Sequence, residues 1–111
     1  MEIREQQHGA VKGITPKGPL CTQDVPEFQR LVQNAIAATM GRCVIDLSET
    51  PYVDSQGLES LLTLSELLAD SGRTLKLCGL CETVKEILDL TDLAAKVEQY
   101  EDMNSAVRSF L

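Results

Sequence analysis

Short apolar segments alternate along the chain with polar connections, and several of them have the character of β-strands. Three are predicted as strands from their β-branched or alternating apolar residues: 43–47 (CVIDL), 74–80 (TLKLCGL) and 96–100. Two weaker strands are predicted over residues 2–7 and 10–14, with a turn at Gly9 between them. The segment ITPKGPL, 14–20, is predicted to be a loop or a bent edge strand, because prolines cannot donate to a ladder.

Between these strands, apolar residues recur every three to four positions, which is the spacing of a helix with one buried face. The first predicted helix follows possible caps at Thr22–Asp24, carries Pro26 in its first turn and ends at Gly41. The second begins near Gln56 and stops near Gly72. Its predicted buried face consists of Leu58, Leu61, Leu62, Ser65 and Leu68. Two shorter helices are predicted around Val84, Ile87 and Leu88, and after a cap at Asp102 with Met103, Ala106, Val107 and Phe110.

The predicted order of elements is β β α β α β α β α. Strands that alternate with helices indicate an α/β fold with largely parallel pairing, here after an antiparallel start. We therefore expect one domain over residues 1–111, with a mixed, mostly parallel sheet of about five strands and about four helices. No repeat, linker or low-complexity segment interrupts it.

Composition and charge narrow the classes of partner. The net charge is −7 and aromatic residues make up only 4% of the chain, with no Trp. A nucleic acid or an anionic membrane attracts Lys and Arg, and stacking on bases needs aromatic side chains, so neither partner is expected. No apolar run approaches the length of a membrane span, and the polar N-terminus is no secretory signal. We expect a cytoplasmic protein without membrane insertion, whose four cysteines are reduced thiols.

Catalytic and metal-binding patterns are weak. Cys78-Gly-Leu-Cys81 lies between a strand and a helix, where a thiol oxidoreductase could place a redox pair. Both cysteines are explained more simply as small core residues. The remaining cysteines form no second CxxC pair, and His8 is the only imidazole, so no metal site is predicted. No phosphate-binding glycine motif occurs. We expect no catalytic residue, no cofactor and no enzyme.

The stretch VDSQGL, 53–58, combines a carboxylate, a hydroxyl and a glycine between two apolar segments. Asp54 or Ser55 is a good N-cap for the helix that follows. Capping does not explain Gly57, since glycine in a first helical turn costs up to about 1 kcal/mol relative to alanine. A glycine could leave its backbone open to a partner. The stretch also follows the carboxyl end of a central strand, the edge of an open α/β sheet where ligands and partners gather.

Asp54-Ser55-Gln56-Gly57-Leu58, preceded by the CVIDL strand and a TPYV loop, resembles the signature of STAS domains, above all the bacterial anti-sigma factor antagonists. Further matches are Gly72-Arg-Thr-Leu-Lys-Leu-Cys-Gly-Leu, which resembles a G-x-x-L-x-L-x-x-L strand, and Leu90-Thr-Asp-Leu93, which resembles an L-x-G-L turn. Gly18-Pro-Leu-Cys-Thr falls at a G-E-L-D loop. The resemblance covers about residues 10–111.

The resemblance implies a non-enzymatic binding module. Its expected partners are an anti-sigma factor of the serine-kinase type, which phosphorylates Ser55 and thereby ends binding, and a PP2C-type phosphatase, which reverses this. The implied partner-binding residues are Asp54, Gln56, Gly57, Leu58, Leu20, Cys21 and Thr22. Three departures bear on partner identity: Gln56 replaces a second Ser or Thr, Pro19 and Cys21 replace acidic residues, and Asp92 replaces the turn glycine.

Two other functions remain open from the residues. The first is a constitutive STAS subunit of a transporter or signalling complex, without phospho-regulation. The second is a CxxC thiol oxidoreductase that uses Cys78 and Cys81.

Overall fold

A computed structural model describes all 111 residues, Met1–Leu111. The five strands are β1 (Glu2–His8), β2 (Val11–Lys17), β3 (Cys43–Asp46), β4 (Leu75–Cys78) and β5 (Val97–Tyr100). The four α-helices are α1 (Val25–Thr39), α2 (Ser55–Ala69), α3 (Glu82–Leu90) and α4 (Met103–Arg108). Two 3₁₀ turns, Thr22–Asp24 and Leu93–Lys96, precede α1 and β5. The predicted fold class and element order are confirmed.

The strands lie side by side in sequence order, β1-β2-β3-β4-β5. β1 pairs antiparallel with β2, and every later pair is parallel. Each parallel connection carries a helix, as a crossover between parallel neighbours requires. The carboxyl ends of β2, β3 and β4 therefore meet at one edge of the sheet.

The two faces of the sheet are covered unequally. Alternate strand residues point to opposite faces: Cys43 and Ile45 belong to a 19-residue core shared with α1, α2 and α3. Val44 and Cys78 belong to a four-residue cluster on the other face, together with Ala106 of α4. The main core thus lies under three helices, and a single short helix closes the second face.

Of the two alternatives predicted over 14–20, a loop or a bent edge strand, the first half is a strand, paired on one side only beyond Ile14. β2 runs on to Lys17, and Pro16 lies opposite Ile3 of β1. Backbone N and O of one strand residue point to the same side, and the carbonyl oxygen of Pro16 accepts a hydrogen bond from Thr50 Oγ1. The nitrogen of Pro16 therefore faces away from β1, beyond the last parallel pair with β3, where no ladder donor is needed.

The buried face of α2 differs from the prediction, and Gly57 and Ser60 are among the buried residues that were not predicted. Leu61, Ser65 and Leu68 are buried as expected, but Leu64 is buried as well, and Leu58 and Leu62 are only partly buried against the core. The buried face is rotated toward Leu64, which leaves Leu58 and Leu62 partly exposed to solvent.

Three connections are explained by backbone conformation or by a capping side chain. β4 stops before Gly79, whose φ of 70° is left-handed. Asp92 also has a left-handed φ, 61°, the conformation that glycine adopts most easily. This explains why a glycine stands at that turn in the pattern the chain resembles. Asp102 caps α4, as predicted, by accepting a hydrogen bond from the backbone N–H of Ser105.

Candidate functional site

Two loops at the carboxyl edge of the sheet are joined into one structure. Leu20, after β2, forms an isolated parallel bridge with Val53, after β3. The N–H of Leu20 donates to the carbonyl of Tyr52 at 3.1 Å, and the N–H of Asp54 donates to the carbonyl of Leu20 at 3.1 Å. The entrance to α2 is thereby attached to the entrance to α1.

Asp54 is the centre of this edge. Its Oδ1 accepts a hydrogen bond from the N–H of Gly57 at 2.8 Å, which caps α2. Its Oδ2 accepts two bonds from Thr22, from the N–H at 2.8 Å and from Oγ1 at 3.0 Å. These donors lower the pKa of Asp54, the Gly57 amide most strongly. Of the two predicted caps, Asp54 acts, and Ser55 is the first helical residue.

The sequence predicts that Gly57 offers its backbone to a partner. Gly57 is buried, and a β-carbon there would collide with the carbonyl oxygen of Leu20 and lie 2.8 Å from Cγ1 of Val53. The close approach that requires glycine is made by the domain's own loop. Leu20 is fully buried as well. Both residues are buried within the domain, and their contact with a partner stays a prediction.

The remaining predicted site residues lie at or near the surface. Ser55, Gln56 and Thr22 are exposed, and Cys21 and Leu58 are partly buried. The Ser55 hydroxyl forms no hydrogen bond within the domain, although the preceding side chain, Asp54, accepts three. The Ser55 oxygen is therefore exposed in the first turn of α2, without a hydrogen-bond partner in the domain.

Sequence reasoning missed Tyr52. Its side chain is 46% exposed, two positions before Asp54 in the chain. The pKa of Tyr52 is raised, mainly through its interaction with the Cys21 thiol. Exposed aromatics are enriched among the residues that carry binding energy at interfaces. The signal was available: this loop holds one of only two tyrosines in a chain poor in aromatics.

A groove also escaped the sequence analysis. It lies between α2 and the turn that leads into β5, and has a volume of about 230 Å³. Three leucines supply its apolar lining, Leu58, Leu62 and Leu93. Its polar lining consists of Ser55, Glu59, Thr91 and Lys96. Ser55 therefore borders an apolar depression as well as the capped helix end.

The CxxC pair is divided between two environments. Cys78 is buried in the cluster beneath α4, and burial raises the pKa of its thiol to about 12. Cys81 is exposed at the start of α3, where its thiol donates to the carbonyl of Pro51 at 3.5 Å. A reactive pair needs an accessible thiolate. Cys78 is instead buried, and its raised pKa favours the protonated thiol. All four cysteines are free thiols.

Other kinds of site have no counterpart in the structure. No three His, Cys, Asp or Glu side chains are grouped so as to hold a metal ion. None of the helices combines the length and apolar character required to cross a membrane.

A mixed, mostly parallel sheet with a capped helix end, an exposed serine and an apolar groove at its carboxyl edge defines a single domain of the α/β class. A family model described as the STAS domain matches residues 2–106. The chain therefore belongs to the STAS domain family.

Solved structures support the same fold. An anti-sigma factor antagonist from Mycobacterium paratuberculosis superposes with a TM-score of 0.83 at 19% identity, over 97% of this chain and 92% of that one. The Bacillus cell fate determinant SpoIIAA in its phosphorylated form gives 0.76 at 13% identity, over 99% and 100%. The murine anion transporter Slc26a9 gives 0.71 at 18% identity, over 95% of this chain but 18% of that one. The fold thus occurs in small antagonists and inside a transporter.

Proposed function

We propose that this protein is a regulatory binding module of the anti-sigma factor antagonist type, switched off by phosphorylation of Ser55. The proposed partner is an anti-sigma factor that is also a serine kinase, and a PP2C-type phosphatase restores the binding form. The protein acts in the cytoplasm by binding and carries out no catalysis of its own. The observation that carries this proposal is the exposed, unbonded hydroxyl of Ser55 next to the fully engaged Asp54.

The modification is a simple phosphoryl transfer. The Ser55 oxygen forms a bond to the γ-phosphorus of ATP, and the bond from that phosphorus to the β-phosphate oxygen breaks, so ADP leaves. The kinase supplies the ATP site and the base that takes the hydroxyl proton. Nothing in the domain has to move, because the hydroxyl has no bond to give up.

Phosphorylation would affect the partner more than the fold. A phosphoserine adds about −1.5 to −2 charges, and the positive end of the α2 dipole partly offsets them. The cap and the loop connections use the Asp54 carboxylate, the Thr22 hydroxyl and backbone groups, and none of them uses the Ser55 side chain. A partner pressed against the same surface would instead meet new bulk, a strongly hydrated group and charge repulsion from any acidic residue it places there.

The test uses the purified protein as bait in lysate from its own cells, with wild type, Ser55→Asp and Ser55→Ala compared. We expect a protein of the kinase fold to be retained by wild type and by Ser55→Ala, and lost by Ser55→Asp. Mass spectrometry after incubation with that partner and ATP should then find phosphate on Ser55. Equal retention by all three baits, without phosphate on Ser55, would overturn the proposal.

Equal retention would favour a second function, a constitutive STAS subunit of a larger complex. The likeness to a domain that is a minor part of an anion transporter favours this alternative. So does Gln56, which stands where the antagonist pattern has a second hydroxyl. Copurification with a transporter or an ATPase, unchanged by Ser55→Asp, is its expected signature.

A further inference from the structure

The groove beside Ser55 contains one cation, Lys96. Of the residues that line it, only Glu59 and Lys96 are charged. Lys96 takes part in none of the ion pairs of the domain. Its side chain is exposed, and it lies at the end of the turn that forms the wall opposite α2. Lys96 is thus a free positive charge across an apolar depression from the hydroxyl of Ser55.

A phosphate on Ser55 would have few other partners within the domain. The N–H of Gly57, the natural donor for a group at this helix end, is already bonded to Oδ1 of Asp54. The N–H and hydroxyl of Thr22 are bonded to Oδ2 of the same carboxylate. Repulsion from the ionised Asp54 also favours the side of α2 that faces the groove.

We propose that a phosphate on Ser55 pairs with Lys96 inside the domain and lies across the mouth of the groove. Phosphorylation then does more than add charge, because the ion pair covers the apolar surface of Leu58 and Leu62. This inference rests on the proposed function for the existence of the phosphate, and it specifies how the phosphate acts.

The test requires no partner. Phosphoserine is incorporated at position 55 during synthesis of the full chain, in wild type, Lys96→Gln, Lys96→Arg and Lys85→Gln. Lys85 is the matched control, an exposed lysine outside this groove. The pKa of the second phosphate ionisation, ordinarily about 6, is measured by ³¹P NMR. An adjacent cation favours the dianion, so Lys96 should lower this pKa.

We expect the pKa to rise by roughly half a unit or more in Lys96→Gln, and to stay near the wild-type value in Lys96→Arg and Lys85→Gln. Glu59 opposes Lys96 in the groove, and it is present in all four proteins, so it cancels in the comparison. Equal pKa values in wild type and Lys96→Gln would overturn the proposal.

Groove closure has its own measurement. Relaxation of the Leu62 methyl protons by a neutral gadolinium chelate reports how accessible the groove is to solvent. We expect phosphorylation to reduce this relaxation in wild type and to leave it unchanged in Lys96→Gln. Equal reduction in both proteins would overturn the role of Lys96. The pull-down with Ser55→Asp decides the proposed function separately, so the two failures are distinguishable.

Discussion

The α-carbon of Gly57 faces the carbonyl oxygen of Leu20 so closely that a β-carbon would collide with it. A glycine in the first turn of a helix is therefore a packing requirement. It lets the end of α2 lie directly on the loop that follows β2, and that contact puts Asp54 within hydrogen-bonding distance of Thr22.

Gly57→Ala should destabilise the protein, although alanine is the better helix former. The gain in helix propensity is up to about 1 kcal/mol. The overpacking against Leu20 and Val53 should cost about 1–3 kcal/mol and displace the loop. Urea denaturation measures the sum. Gln56→Ala, one position earlier and exposed, is the control and should change stability by less than about 0.5 kcal/mol. A Gly57→Ala protein more stable than wild type would contradict this packing.

The contribution of Asp54 should depend on pH. Its pKa is lower in the folded protein than in the unfolded chain, where a carboxyl titrates near about 3.9. Its stabilisation is thus fully present above the unfolded pKa and is lost as pH falls through the folded pKa. The gap in urea midpoint between wild type and Asp54→Asn should be widest near neutral pH and narrow in acid. Asp89→Asn, an exposed site on α3, serves as control. A gap that stays constant from neutral to strongly acid pH would show that the charge is unimportant.

The register of α2 can be tested with two leucines three residues apart. Leu64→Ala should cost about 2–5 kcal/mol, because a fully buried side chain leaves a cavity. Leu67→Ala should cost less than about 1 kcal/mol, since Leu67 is 40% exposed. Thermal or chemical unfolding gives both values. Equal losses would mean that the helix face has been assigned wrongly.

Tyr52 should matter for binding and little for folding. It is an exposed aromatic within the bridged loop, two residues before Asp54. Tyr52→Ala should weaken capture of the partner at least about tenfold, the effect of losing an interface anchor, with an unchanged melting temperature. Met40→Ala removes a side chain that is 76% exposed after the far end of α1, and should leave binding intact. If Tyr52→Ala binds like wild type, the interface lies elsewhere on the domain.

The thiols should differ in reactivity. Burial raises the pKa of Cys78 to about 12, whereas Cys81 is exposed. Iodoacetamide at neutral pH should modify Cys81 first and reach Cys78 only on unfolding. Peptide mass spectrometry follows each site. Rapid, equal modification of both, or a reversible disulfide between them, would revive the oxidoreductase hypothesis.

Local patterns were enough to predict the order of the elements, because strand and helix periods differ and the strands are bounded by glycine and polar residues. The buried face of α2 could not be derived in the same way. Leucines occupy so much of its circumference (58, 61, 62, 64, 67 and 68) that spacing alone does not select one stripe. The extension of β2 through Pro16 could not be predicted from the sequence. It depends on whether a neighbouring strand needs a hydrogen bond from the backbone nitrogen of Pro16, which has no hydrogen to donate.

Gly57 shows why the site was only partly predictable. Its place close to Asp54 and Ser55 is visible in the sequence, but the atom that excludes a β-carbon belongs to Leu20, 37 positions earlier in the chain. The groove is a similar case, since Ser55 and Lys96 become neighbours only when α2 and the turn before β5 pack together. A site formed by one segment can be predicted from the sequence, whereas a site formed by two distant segments cannot.

The unbonded hydroxyl of Ser55 bears on how this domain can change in evolution. Asp54, Gly57 and Leu20 are constrained by one another, so a change in any of them must be accommodated by the rest. Ser55 is constrained by none of them. A lineage could lose or regain the phosphorylatable residue by single substitutions while the scaffold stays intact. Under the proposed switch, regulated and unregulated copies of this domain are thus one mutation apart.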